Sequence, residues 1–229
     1  MTKWTLSTKN INAYLNCPKL LYEFDYDIKK DEVKAAIRKS IIKIFAADLS
    51  NDNLSMGRMV TKWDRILSPH VTEARKYNDI ILALKDLLES YTSDYYSESS
   101  VIAVNMPVIK VFEKGVFSDK VDTILHHSEH GIVPVFVPDH SIHAARDNGI
   151  RFISSILEEV FGVKITKYII IKVIRESGPY AMNMYSFNKK ELQRADSELK
   201  QVVRLITSGI NIPNTNHCNK CYYVNHCRL

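Results

Sequence analysis

Cys218, Cys221 and Cys227 are spaced C-x2-C-x5-C in the closing stretch HCNKCYYVNHCRL. Thiolates at such spacing hold zinc or iron–sulfur clusters, and both kinds of site commonly need four donors. The one other cysteine, Cys17, lies about 200 residues upstream. Two ligand sets follow. Either Cys17 joins the triplet, or a tail-only zinc knuckle takes His217 or His226 as fourth donor. Closing so long a loop through Cys17 would restrict the unfolded chain by about 4–5 kcal/mol, by analogy with a disulfide. A second group, His126, His127, Glu129 and His130 in HHSEHG, has metal-binding side chains. It lies between two strand-like runs and ends at Gly131, so it reads as a hairpin turn.

The elements that must position these residues fit a chain of 229 residues, 45% hydrophobic and 25% charged, enough for one good core plus a helical lobe. With only 7 glycines and 7 prolines, long linkers are not expected. The formal charge of +5 suits an anionic partner such as DNA, or is simply a basic surface. No apolar run reaches the roughly 18–20 residues of a membrane span, and MTKWTLSTKN carries no signal-peptide core. A cytoplasmic protein is therefore expected, in the host cytoplasm if it is viral, an origin hinted at by the abundance of Lys, Asn, Ile and Tyr. In a reducing compartment the thiols favour metal over disulfide.

Helical spacing runs from Ser7, an N-cap, through Ile11, Tyr14 and Leu15, then through DEVKAAIRKSIIKIFAADL and two further stretches near 55–67 and 70–96. The texture then turns to Val and Ile. VIAVNMPVIKVF, GVFSDKVDTILHH and GIVPVFVP read as a three-stranded meander broken at Gly115 and Gly131. A helix over about 143–161 ends at Gly162. ITKYIIIKVI and PYAMNMYSF pair across Gly178-Pro179, and a last helix begins near KKELQ. The divisions expected in this single domain are a helical region (1–96), an α/β core (97–210) and a cluster-binding tail (211–229).

LSTKNINAYLNCPKLLYEF resembles the opening of RecB-like nucleases of the PD-(D/E)XK superfamily. The C-x2-C-x5-C tail resembles that of their iron–sulfur branch, the CRISPR-associated iron–sulfur exonucleases and AddB-type recombination nucleases. The resemblance implies a restriction-endonuclease-like αβββαβ core with a mixed sheet, and a four-cysteine cluster tying the N- and C-terminal segments. It also implies Cys17, Cys218, Cys221 and Cys227 as ligands of a [4Fe–4S] cluster, with zinc the alternative.

The family cuts phosphodiesters with Mg²⁺ or Mn²⁺ held by carboxylates, beside a lysine. By resemblance Asp122, in SDKVDTIL, takes the place of the metal-binding Asp. The acid and lysine positions of the next strand are then Phe136 and Pro138, Ser40 falls near an upstream histidine position and Gly149 near a glutamine position. A phenyl ring cannot ligate a hard cation, and proline has neither charge nor N–H. Asp139, followed by His140 and His143, is the one substitute carboxylate. It lies three positions along the strand and so normally on the opposite face.

A nuclease-like protein without catalysis is therefore expected. It would bind nucleic acid or serve as an accessory subunit of a DNA replication, recombination or transcription assembly. The alternatives are an active Mg²⁺/Mn²⁺-dependent DNA exonuclease or endonuclease using Asp139, and a protein–protein adaptor with no affinity for DNA. Arg38, Lys39 and Lys43 could line a strand channel. Lys189, Lys190, Arg194 and Lys200 decorate the last helix as a solvated face. The tyrosines of YTSDYY could stack on bases, and Tyr222 and Tyr223 shield the cluster.

Overall fold

The structure is a computed structural model that describes residues 4–18, 31–52, 54–95, 97–138, 148–172, 181–188 and 190–210. Outside it lie Asp139, His140, His143, Lys189, the Gly178-Pro179 turn and the tail with His217, Cys218, Cys221, Tyr222, Tyr223, His226 and Cys227.

Among the described residues, β1 (Trp4–Leu6) leads into α1 (Thr8–Asn16). Three more helices follow: α2 (Glu32–Leu49), α3 (Met56–Leu67) and α4 (Ala74–Ser90), the last extended by a π turn, Tyr91–Tyr95. The meander is β2 (Ser99–Val111), β3 (Gly115–His127) and β4 (Gly131–Phe136). Then come α5 (Asn148–Phe161), β5 (Lys167–Lys172), β6 (Ala181–Ser186) and α6 (Glu191–Thr207). Ser7 caps α1 through a capping box with Asn10, and Asp31 caps α2 by accepting from the Lys34 N–H. Gly131 and Gly162, at φ +67° and +66°, take the left-handed conformation that a hairpin corner and a helix end require.

β3 organises a mixed sheet. β2 runs antiparallel along one edge of it, from the Ser99–His127 pair to the Val111–Val116 pair. The opposite edge is shared: β1 pairs in parallel with Gly115–Phe117, and β4 antiparallel with Thr123–His127. β5 joins β4 in parallel, and β6 closes the sheet antiparallel to β5. Between the stretches held by β1 and β4, residues 118–122 of β3 have no strand partner on that edge among the described residues. Two aspartates supply acceptors there. Asp119 Oδ2 accepts the Thr8 N–H at 2.9 Å, at the start of α1, and Asp122 Oδ2 accepts the Val137 N–H at 2.8 Å.

Helices cover both faces at the centre of the sheet, where β4 (GIVPVF) and β5 (KYIIIK) are buried, nearly continuous apolar runs rather than alternating ones. Val133, Val135, Val137, Ile169 and Ile171 pack under α2, α3 and α4 with Phe45, Trp63, Leu84 and Tyr91. Ile132, Phe136, Tyr168 and Ile170 turn the other way, among Ile11 and Tyr14 of α1, Phe152 and Ile156 of α5 and Leu199 of α6. Polar ends inside the helical lobe are paired. Trp63 Nε1–H donates to the Ser40 carbonyl at 3.0 Å, and Tyr91 Oη to Asp48 Oδ2 at 2.7 Å. On the second face Lys110 of β2 donates to Glu159 of α5 at 2.5 Å and to Asp196 of α6 at 2.8 Å. The half-buried Lys110 thus holds three elements together.

Candidate functional site

Asp122 sits where the sheet changes phase. Regular alternation would put Val121 and Leu125 on one face, yet Val121 and Ile124 belong to the α1/α5/α6 core while Leu125 belongs to the other. β2 makes the same step. Val104 and Met106, which pair with Thr123 and Val121, pack against opposite cores. Between them Asn105 adopts φ +52°, a left-handed conformation that asparagine tolerates better than most residues. The two strands therefore kink together at Asn105 and Asp122. Alternation assigns the Asp122 side chain no face; its contacts do.

Those contacts nearly fill its coordination. Arg38 of α2 donates to Oδ1 through Nε at 3.1 Å and Nη2 at 2.7 Å, and the Val137 N–H donates to Oδ2. Three of about four lone-pair directions are used. The Asp122 side chain is 4% exposed against 27% for Arg38, so this ion pair is close to interior. Burial pushes the Asp122 carboxyl above the usual carboxylate range; Arg38, the Val137 N–H and Lys120 pull it back without cancelling that push.

A divalent ion at Asp122 would share an oxygen that is already hydrogen-bonded and would stand close to the Arg38 guanidinium. Two unit charges about 4 Å apart near a protein surface exchange about 4 kcal/mol, so a dication there would be repelled by about twice that. The other positions offer no relief. Phe136 lies one step beyond the Thr123–Val135 pair, hence beside Asp122, and its ring is buried in the α1/α5/α6 core. Pro138 is half-buried. Ser40 is fully buried in the helical lobe, its hydroxyl donating to the Ala36 carbonyl at 2.9 Å. Gly149 is buried in the first turn of α5. The residue of α2 that reaches Asp122 is Arg38, expected from the sequence only as one of three channel-lining cations; Lys39 and Lys43 are exposed.

The cysteine expectation meets the described residues at one end. Cys17 is a buried free thiol that caps the C-terminus of α1, its N–H donating to the Ala13 carbonyl. One turn earlier Tyr14 Oη donates to the Ile210 carbonyl at 3.0 Å. Ile210, the last described residue, is thereby held beside α1.

The other sequence features resolve into ordinary structure. HHSEHG is the β3–β4 hairpin: His127 is buried at the end of β3, accepts the Glu129 N–H at Nδ1 and stacks on His130 with ring centroids 4.6 Å apart. Among the described residues no three His, Cys, Asp or Glu side chains gather as a metal ion would need. Tyr91 of YTSDYY is fully buried and therefore closed to stacking on bases. Lys190 and Arg194 of α6 edge a shallow, open depression of about 400 Å³ completed by Gln193, Ser197, Glu198 and Gln201. Lys200 is paired with Asp196 at 2.7 Å. No helix among the described residues is long and apolar enough to cross a membrane.

No family model matches the chain. No curated protein sequence matches it either. Among solved structures it is similar to a candidate exonuclease from Eubacterium rectale, with 12% sequence identity and a TM-score of 0.53, over 98% of this chain and 88% of that one. A second solved structure, SSO0001, covers 96% of this chain and 92% of its own at 10% identity; its TM-score of 0.35 carries no argument. The first likeness is one of fold: the chain has a nuclease-like α/β architecture around a mixed sheet.

Proposed function

We propose that this chain is a catalytically silent nuclease-fold protein of the PD-(D/E)XK kind that binds DNA, acting as an accessory subunit of a DNA-processing or transcription assembly. The observation that carries the reading is the engagement of Asp122: Arg38 and the Val137 N–H use the oxygens that a phosphodiester-cleaving metal would require. The neighbouring acid position holds a core phenylalanine. The net charge of +5 supports an anionic partner.

The same proposal assigns Cys17, Cys218, Cys221 and Cys227 to a [4Fe–4S] cluster, with zinc the alternative donor-compatible metal. The donor set fits. Cys17 is a buried thiol at a helix end, and seven residues lie between the Tyr14-anchored Ile210 and Cys218, eight steps that span up to about 28 Å when extended. When bound, the cluster supplies a structural clasp. The residues of this chain fix its two ends, α1 by packing and Ile210 by the Tyr14 hydroxyl.

The test is cluster-loaded protein titrated with single-stranded and duplex DNA across a salt series, and incubated with both in Mn²⁺. The expected result is binding that weakens steeply with salt, since phosphate contacts release counterions, and no cleavage beyond that of Asp122→Ala. Cleavage that Asp122→Ala abolishes would establish the active-nuclease alternative. Absence of binding at low salt would leave the adaptor.

A further inference from the structure

We propose that the outward face of α6 is a docking surface for the phosphate backbone of nucleic acid. The inference rests on the DNA-binding reading above and gives that binding a place on the molecule. Lys190, Arg194, Ser197, Gln201 and Arg204 follow one another at steps of four and three residues, so they form one line along the helix, and all are exposed. From Lys190 to Arg204 the line runs about 21 Å, at about 1.5 Å per residue. The acids of α6 stand on its flanks and are engaged there. On one flank Asp196 accepts from Lys110 and Lys200. On the other, Glu198 pairs with Arg151 of α5 at 3.1 Å, and Glu191 accepts the Asn188 N–H at 3.0 Å. Among the described residues no carboxylate pairs with Lys190, Arg194 or Arg204, so the crest of the helix carries cations alone. Hydroxyl and amide donors stand between them, and the shallow depression lies on this same line. Arg, Lys, Ser and Gln are side chains that hold phosphate oxygens without reading sequence. No large apolar side chain interrupts the line, as a groove for an amphipathic peptide or an insertion into lipid would need. A row of phosphates is the partner whose charge complements it.

The test is duplex DNA binding by the cluster-loaded protein across a salt series. Each phosphate contact adds about 0.9 to the slope of log affinity against log salt. Arg194→Gln/Arg204→Gln should therefore flatten the slope by about 1.8, and Gln201→Lys, which adds a cation to the same line, should steepen it by about 0.9. Arg58→Gln/Arg65→Gln removes the same charge from exposed positions of α3 and should leave the slope at its wild-type value. The substituted side chains are exposed, so melting temperatures should stay at the wild-type value. Should the double α6 variant fail to fold, Gln201→Lys alone decides, since an unchanged slope there contradicts the inference. A wild-type slope in Arg194→Gln/Arg204→Gln, or a loss found instead in Lys39→Gln/Lys43→Gln, overturns the inference and leaves the DNA-binding reading standing. Failure of that reading looks different: the wild type would bind no DNA at low salt, and the inference would fall with it. Binding of polyglutamate in place of DNA, lost in the α6 variant, would assign the face to an acidic protein and overturn both.

Discussion

Replacing Phe136 with glutamate puts a carboxylate beside Asp122, and it should unfold the protein rather than create a metal site. The ring is 7% exposed, inside the core beneath α5 and α6. A buried phenylalanine removes about 150–250 Å² from water, about 4–6 kcal/mol at about 25 cal/mol per Å². The two glutamate methylenes return about 1.5 kcal/mol. At pH 7 the new carboxyl, in an apolar site, stays neutral at a cost of about 3.7 kcal/mol, the distance from its ordinary pKa of about 4.3 at 1.36 kcal/mol per unit. The sum, about 6–8 kcal/mol, is comparable with the whole stability of an ordinary domain. The sign with pH follows from a raised folded-state pKa. The native state holds a proton the unfolded chain has released, so stability falls as pH rises from the ordinary carboxylate range. At pH 5 the protonation cost shrinks to about 1 kcal/mol. Urea unfolding at pH 5 and pH 7 should therefore show Phe136→Glu losing about 2–3 kcal/mol more at the higher pH, relative to wild type. A variant as stable as wild type at pH 7, with Mn²⁺-dependent cleavage of DNA, would refute the placement of this side chain.

Arg38→Met leaves a buried carboxylate unpaired and should cost about 3–5 kcal/mol in urea unfolding, while Arg38→Met/Asp122→Leu should recover most of it. Lys110 and Lys200 hold the Asp196 carboxyl below the usual range although burial pushes it up. Its contribution is thus present above the ordinary carboxylate pKa and lost as pH falls, and Asp196→Asn should flatten that acid limb of the stability profile. Asp122, held above the range, tilts the other way: its cost to stability appears as pH rises through the carboxylate region, and Asp122→Asn should remove that tilt even where it lowers overall stability. Cys17→Ala should abolish the visible absorption of an iron–sulfur centre and lower the melting temperature; retention of both would assign the cluster elsewhere.

Much of the architecture was legible because its signals are local. Ser7 before a helical stripe, Gly131 between Val/Ile runs and Gly162 after a helix each mark a boundary by backbone chemistry alone, and the structure has all three. β1 was not legible: three residues give no periodicity, and its partner strand begins at Gly115. Tyr91 looked free for base stacking, yet Leu84, Leu87 and Leu88 place it on the same apolar stripe of α4, a spacing that foretold its burial. Arg38 resembled the exposed Lys39 beside it, since one helix pattern cannot say which polar side chain meets a carboxylate 84 positions away. The phase step at Asp122 was hidden for the same reason. It depends on Asn105 and Asp122 kinking together across two strands, whereas alternation along one strand reads straight through it.

A crystal of the cluster-loaded protein soaked in Mn²⁺ and measured for anomalous scattering tests the central claim most directly. The account predicts no manganese at Asp122, with the Arg38 guanidinium still within hydrogen-bonding distance of Oδ1. A manganese ion ligated by Asp122 and a second carboxylate, with Arg38 swung away, would contradict it.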